Sequence, residues 1–158
     1  MSRRDITHPT SIKLLSRSRN TLLKRLNRSS LKSLEELIYW HSSSSSLAPM
    51  AVLEELGVPF DLHEVDYDGG ETRTPEYLQL QPLGLIPALQ FEDGSSMFES
   101  AAIVQYLCDR HLEADLAPLP EDVQQPRYLQ WLFFMADTIY PSYNRFYHTE
   151  NYNLSLNV

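Results

Sequence analysis

The sequence predicts an α/β domain built on a mixed four-stranded sheet, followed by the start of an all-α domain. Three observations carry this reading. A strand, a helix and a second strand follow one another closely between Leu37 and Leu62, Asp93-Gly94 separates two short apolar runs, and the segment from Tyr128 to Tyr140 is apolar nearly all round. Two strands joined through a helix at such short range imply a right-handed parallel crossover. Asp-Gly between apolar runs signals an antiparallel hairpin, and a helix apolar on all sides expects burial among other helices.

Leu37-Ile38-Tyr39-Trp40 is the first strand, followed by the five-serine run Ser42 to Ser46. Leu47 to Leu56 reads as a helix with a serine cap, Pro49 in its first turn and Gly57 just past its end. Val58, Phe60 and Leu62 alternate as a second strand. After the polar turn at Asp68-Gly69-Gly70, a short helix is expected around Pro75 to Leu80. Ala88 to Phe91 and Ser96 to Phe98 form the hairpin strands, and Ala101 to His111 places Ile103, Val104, Leu107 and Cys108 on one helical face. The order β-α-β-α-β-β-α, with the parallel strands first and the hairpin last, is thioredoxin-like. Beyond the proline-containing linker, Tyr128, Trp131, Leu132, Met135 and Ile139 share one side of a further helix, which Pro141 is expected to kink or end.

Composition narrows the function classes. With 42% hydrophobic and 22% charged residues in 158, the chain holds one globular domain, or one plus a fragment. Its single cysteine, Cys108, excludes an internal disulfide and a CxxC redox pair. The five histidines (His8, His41, His63, His111 and His148) have no ligand-type spacing, so no metal is expected. No apolar run approaches the ~20 residues that span a bilayer.

The charge is divided sharply along the chain. Residues 1–32 hold nine basic side chains against Asp5 alone, whereas the remainder holds four against twenty acids. The expected organisation is a basic, disordered leader over 1–34, the α/β domain over 35–112, a linker over 113–120 and a helical segment over 121–158. A cytoplasmic location is expected, with a mitochondrial or plastid one as the alternative, because the Arg- and Ser-rich leader suits a transit peptide. No aromatic residues interleave with the basic ones, so a nucleic-acid partner is not expected.

Three segments carry chemistry. In Gln81-Pro-Leu-Gly-Leu-Ile-Pro-Ala-Leu89, Pro87 stands directly before a strand, where it suits an edge or a turn. A cis Ile86-Pro87 bond would turn the Ile86 backbone outward to pair with an extended peptide ligand; a trans proline at a strand edge is the simpler alternative. Glu99-Ser100 opens the last helix of the domain, where unpaired amides and the dipole favour anions. There Ser100 and the amides can take a ligand carboxylate while Glu99 takes its ammonium, or Ser100 merely caps its own helix. A serine of the 42–46 run can donate a hydrogen bond to a thiolate. Lowering a thiol pKa from ~8.5 to ~6.5 needs about 2.7 kcal/mol, within reach of one charge-assisted hydrogen bond plus a helix N-terminus.

Tyr39 to Pro49, Pro82 to Leu89 and Phe98 to Leu107 stand in the order and spacing of the glutathione transferase amino-terminal domain, which this sequence resembles. Leu129 to Pro141 is similar to the first helix of that family's second domain, bacterial members especially. The resemblance implies glutathione as co-substrate, a small electrophile as partner, a role in detoxification and possible homodimers. It implies that Pro87 is the family's cis-proline, with Ile86 pairing its backbone to the cysteinyl part of glutathione while Glu99 and Ser100 hold the γ-glutamyl end. Ser43 matches the thiol-activating serine, with Ser45 and Tyr39 as alternatives, and Leu85 stands where many members have a basic or polar residue. Against the family's five or more second-domain helices, this chain supplies one and the start of another. It is therefore expected to be a fragment or to need a partner, and the alternative function is a non-catalytic glutathione- or protein-binding module.

Overall fold

The computed structural model describes residues 36–147. The basic leader expected over 1–34, with its disorder and targeting readings, lies outside the described residues, as does 148–158. Strands β1 (Glu36–Trp40), β2 (Phe60–Glu64), β3 (Ala88–Gln90) and β4 (Ser96–Phe98) form one sheet in the order β2-β1-β3-β4. β1 and β2 are parallel, with Ile38 opposite Leu62, while β1–β3 and β3–β4 are antiparallel. Helices α1 (Leu47–Leu56), α2 (Pro75–Leu80) and α3 (Ser100–Arg110) complete the expected β-α-β-α-β-β-α order, a thioredoxin-like fold.

Strand periodicity sorts the side chains between the two faces. Ile38 and its register partner Leu89 meet Leu53 and Leu56 of α1 and Ile103 and Leu107 of α3 in one buried cluster. At about 1.5–3 kcal/mol per fully buried large apolar side chain, this cluster is the main stabilising term of the domain. Tyr39 points to the opposite face, where its ring lies edge-on to Tyr77 of α2 at 5.8 Å. Tyr77 is 2% exposed.

Local chemistry explains most element ends. Gly57 adopts φ 64° and sends its N–H back to the Leu53 and Glu54 carbonyls, a left-handed C-cap that favours glycine. α2 starts with Pro75 behind Thr74, whose Oγ1 accepts the Tyr77 N–H. The expected serine cap on α1 does not form: Ser46 is itself helical at φ −64°, and its Oγ donates to the His41 carbonyl at 3.3 Å. In the hairpin, the Gly94 N–H donates to Phe91 O and the Phe91 N–H to Ser95 O. The loop is thus a three-residue turn with Gly94 at φ 83° rather than an Asp-Gly two-residue turn.

The helical segment differs most from expectation. α4 (Gln125–Phe133) runs through a π-helical stretch, Phe134–Ile139, into α5 (Tyr140–Tyr147), so Pro141 neither ends nor follows the helix. The Tyr140 N–H donates five residues back, to Met135 O. This wider register accommodates a residue that lacks an N–H and whose ring would clash with the carbonyl four back. Ser142 Oγ donates to the Thr138 carbonyl at 2.5 Å. None of the residues of α4, the π stretch or α5 is buried, and Phe133, Tyr143 and Phe146 are 65%, 62% and 75% exposed. No helix among the described residues is long and apolar enough to cross a membrane.

Candidate functional site

The sheet register gathers the chemistry-bearing segments at one end. Ala88 opens β3 between Tyr39, near the end of β1, and Phe98, the last residue of β4. The residues just beyond these partners therefore lie side by side: the His41–Ser46 loop after β1, Ile86-Pro87 before β3, and Glu99-Ser100 after β4. The Ile86-Pro87 bond is cis. The strand ladder begins only at Ala88, which leaves the Ile86 peptide outside the sheet pairing.

The serine loop is internally bonded. Ser44 N donates to His41 O at 3.3 Å, the Ser44 and Ser46 hydroxyls meet at 2.7 Å, and Ser46 N donates to Ser44 Oγ at 3.2 Å. His41 closes the base of the loop, with its Nδ1 3.2 Å from Val65 O. The five serines thus have different surroundings. Ser44 and Ser46 are engaged in the loop, and Ser46 is 1% exposed. Ser45 Oγ donates to Ile86 O at 3.3 Å, joining this loop to the proline turn. Ser43 is exposed at the outer bend, in the left-handed region at φ 61°.

Tyr39 faces another direction. Its hydroxyl donates to Gln90 Oε1 at 3.2 Å and its ring lies 4.8 Å from that of His63. Burial, and secondarily the charge of Glu71, raise its phenol above the ordinary value, so it stays protonated at neutral pH. Glu99 is exposed at the N-terminal boundary of α3, at φ 72° and ψ 107°, and its side chain makes no cap bond. A non-glycine residue at such an angle stores about 1–3 kcal/mol and marks functional positions more often than ordinary turns. Ser100, the first residue of α3, is 6% exposed beside the orphan amides of the first turn.

Sequence reading missed three supporting side chains. The Tyr77 hydroxyl donates to Leu85 O at 2.7 Å, Gln81 Oε1 accepts the Leu83 N–H at 2.6 Å, and Arg73 Nη1 donates to Leu83 O at 3.2 Å. All three grip the turn that leads into Ile86. A tyrosine in a short helix or a glutamine just past its end carries no sequence signal of such a task. Cys108 is buried, and burial followed by the nearby Asp109 pushes its thiol pKa up, away from nucleophilic use. Among the described residues no His, Cys, Asp and Glu gather as a metal group. Two concavities lie elsewhere: one of about 480 Å³ on the helical segment beside Trp131 and Phe134, and one of about 580 Å³ beside Glu36, Phe91 and Arg110.

Residues 42–110 match the family model described as the glutathione S-transferase amino-terminal domain. Glutathione S-transferase 2 of Anopheles gambiae is 34% identical over 117 residues, covering 73% of this chain and 55% of that protein. Protein URE2 of Candida maltosa is 33% identical over 105 residues, covering 63% of this chain and 32% of that protein. Among solved structures, a Phanerochaete chrysosporium glutathione transferase in complex with oxidized glutathione superposes with a TM-score of 0.67 at 31% identity, over 77% of this chain and 57% of that one. The chain thus spans between about a third and somewhat over half the length of these relatives.

Proposed function

Because the domain at residues 42–110 belongs to the glutathione S-transferase amino-terminal family, we propose that this chain binds glutathione and conjugates its thiolate to electrophilic small molecules. The observation that carries the reading is the meeting of the Ile86 turn, the serine loop and Glu99-Ser100 at one end of the sheet. In this reading Ile86, presented by Pro87, pairs its backbone with the cysteinyl residue of glutathione. Ser100 and the first amides of α3 take the γ-glutamyl carboxylate while Glu99 takes the ammonium. Ser43 donates a hydrogen bond that favours the thiolate, the thiol proton leaving to solvent; Ser45 is the alternative donor, beside Ile86, once its single hydroxyl proton turns from Ile86 O to the sulfur. The sulfur then attacks an electrophilic carbon and the leaving group departs with the electron pair of the broken bond. Leu85, 46% exposed, offers no polar contact to the glycine end.

Turnover of a generic activated aromatic halide with glutathione tests this, in wild type beside Ser43→Ala and Ser45→Ala. A rate lost in one variant and kept in the other assigns the hydroxyl, and equal rates in all three proteins remove both from the mechanism. A second reading is a module that binds glutathione or a protein without turnover. The apolar helical face, with Phe133 and Phe146 largely exposed, favours it, since such a face expects a cover such as a partner or a second copy. Calorimetry separates the readings: binding without turnover supports the module, and absence of binding defeats both glutathione readings.

A further inference from the structure

We propose that Tyr77 is a positioning residue for the ligand-facing peptide of Ile86, the key member of a clamp that fixes residues 83–85 before any ligand arrives. The inference rests on the reading that Ile86 pairs with the backbone of glutathione. Its basis is a convergence of bonds on consecutive peptide groups. The Tyr77 hydroxyl holds Leu85 O at 2.7 Å, directly beside the Ile86 peptide. Gln81 Oε1 holds the Leu83 N–H at 2.6 Å, the Gln81 carbonyl accepts the Gly84 N–H at 2.9 Å, and Arg73 Nη1 holds Leu83 O at 3.2 Å. From the other side, Ser45 Oγ reaches Ile86 O at 3.3 Å.

The packing makes this more than a buried hydroxyl finding a partner. Tyr77 and Gln81 are each 2% exposed, so neither side chain can exchange its bond for water. Gly84 lies so close to the 3-10 turn Glu71–Arg73, which precedes α2, that a Cβ there would stand 2.7 Å from Thr72 O and from Arg73 Nη1. At φ 64° it also occupies the left-handed region that favours glycine. The turn is therefore pressed against the segment that carries Arg73, one member of the clamp. A ligand that pairs with a backbone already held in place does not have to order it, and this raises affinity without adding a contact.

Calorimetry with reduced glutathione on wild type, Tyr77→Phe and the core variant Leu56→Ala, all at a temperature where each is folded, provides the test. Phenylalanine keeps the ring packing and removes one donor, so binding should weaken roughly five- to tenfold, the ordinary worth of one hydrogen bond. Leu56→Ala should lower the thermal midpoint and leave Kd unchanged. Unchanged Kd in Tyr77→Phe beside a binding wild type overturns the positioning role alone, whereas no binding by wild type overturns the parent reading and this one together. Amide exchange on wild type decides independently of whether the variant folds. Protection at Leu83 and Gly84 should be the same with and without glutathione, while that of Ile86 rises. A ligand-induced rise at Leu83 and Gly84 equal to that at Ile86 overturns the clamp.

Discussion

Replacing Glu99 by glycine should make the protein more stable and a poorer binder of glutathione. Glu99 sits at φ 72° and ψ 107°, a conformation that costs a residue with a Cβ about 1–3 kcal/mol. Glycine removes that cost but gives back about 0.5–1 kcal/mol through its freer unfolded chain. The net is a gain of about 1 kcal/mol, or about 2–4 °C in thermal midpoint for a chain of this size. The same change deletes the carboxylate proposed to hold the ligand ammonium. Because Glu99 is exposed, that contact is worth about 0.5–1 kcal/mol rather than the full value of a buried pair, a roughly two- to fivefold loss in affinity. Glu99→Ala separates the two effects, since alanine loses the carboxylate and keeps the strained angle. It should weaken binding as much as glycine does, with no gain in midpoint. The measurements are thermal unfolding and titration calorimetry on the three proteins. Equal stabilisation by alanine and glycine would trace the gain to charge removal and refute the strain argument. Glutathione affinity kept within twofold in both variants would refute the role given to the carboxylate.

Three further outcomes follow from particular side chains. Burial raises the Glu36 pKa more than His111 and Arg110 lower it, and its buried Oε2 has no hydrogen-bond partner among the described residues. A carboxyl with a raised folded-state pKa stabilises below its unfolded pKa and loses that contribution as pH rises through the folded value. Glu36→Gln should therefore stabilise at pH 7 and not at pH 4, and chemical denaturation at the two values reads the difference. Cys108, with its thiol pKa raised by burial and Asp109, should resist a thiol-specific reagent at pH 8 in the native protein and react on unfolding; native labelling at the rate of a free thiol would contradict this. On the helical segment, Phe133→Ser together with Phe146→Ser should shift sedimentation toward the monomer if that face associates. Each phenylalanine buried in a contact contributes about 1.5–3 kcal/mol, so an unchanged distribution would exclude the face as an interface.

The parts legible in the sequence are those whose cause is local. Gly57 bounds α1, Pro75 opens α2 and Gly94 marks the hairpin, because a left-handed angle, a fixed proline φ and a tight turn each restrict which residue can stand there. Pro141 misled for a related reason. A proline forbids the regular α pattern at one step, but a five-residue hydrogen bond from Tyr140 avoids the forbidden geometry and the helix continues. The serine run was legible as a candidate and not as an arrangement. Five identical side chains gave no means of telling the self-bonded Ser44 and Ser46 from Ser45, whose partner lies 41 residues away. The clamp was illegible altogether, since Tyr77 reaches Leu85 only because α2 packs its tyrosine under the sheet and the turn folds back over it. The site inherits this division. Pro87, Glu99 and Ser100 stand out in the sequence as candidates by their place before a strand and at a helix start, while the side chains that hold the turn before Ile86 depend on tertiary packing and become visible only in three dimensions.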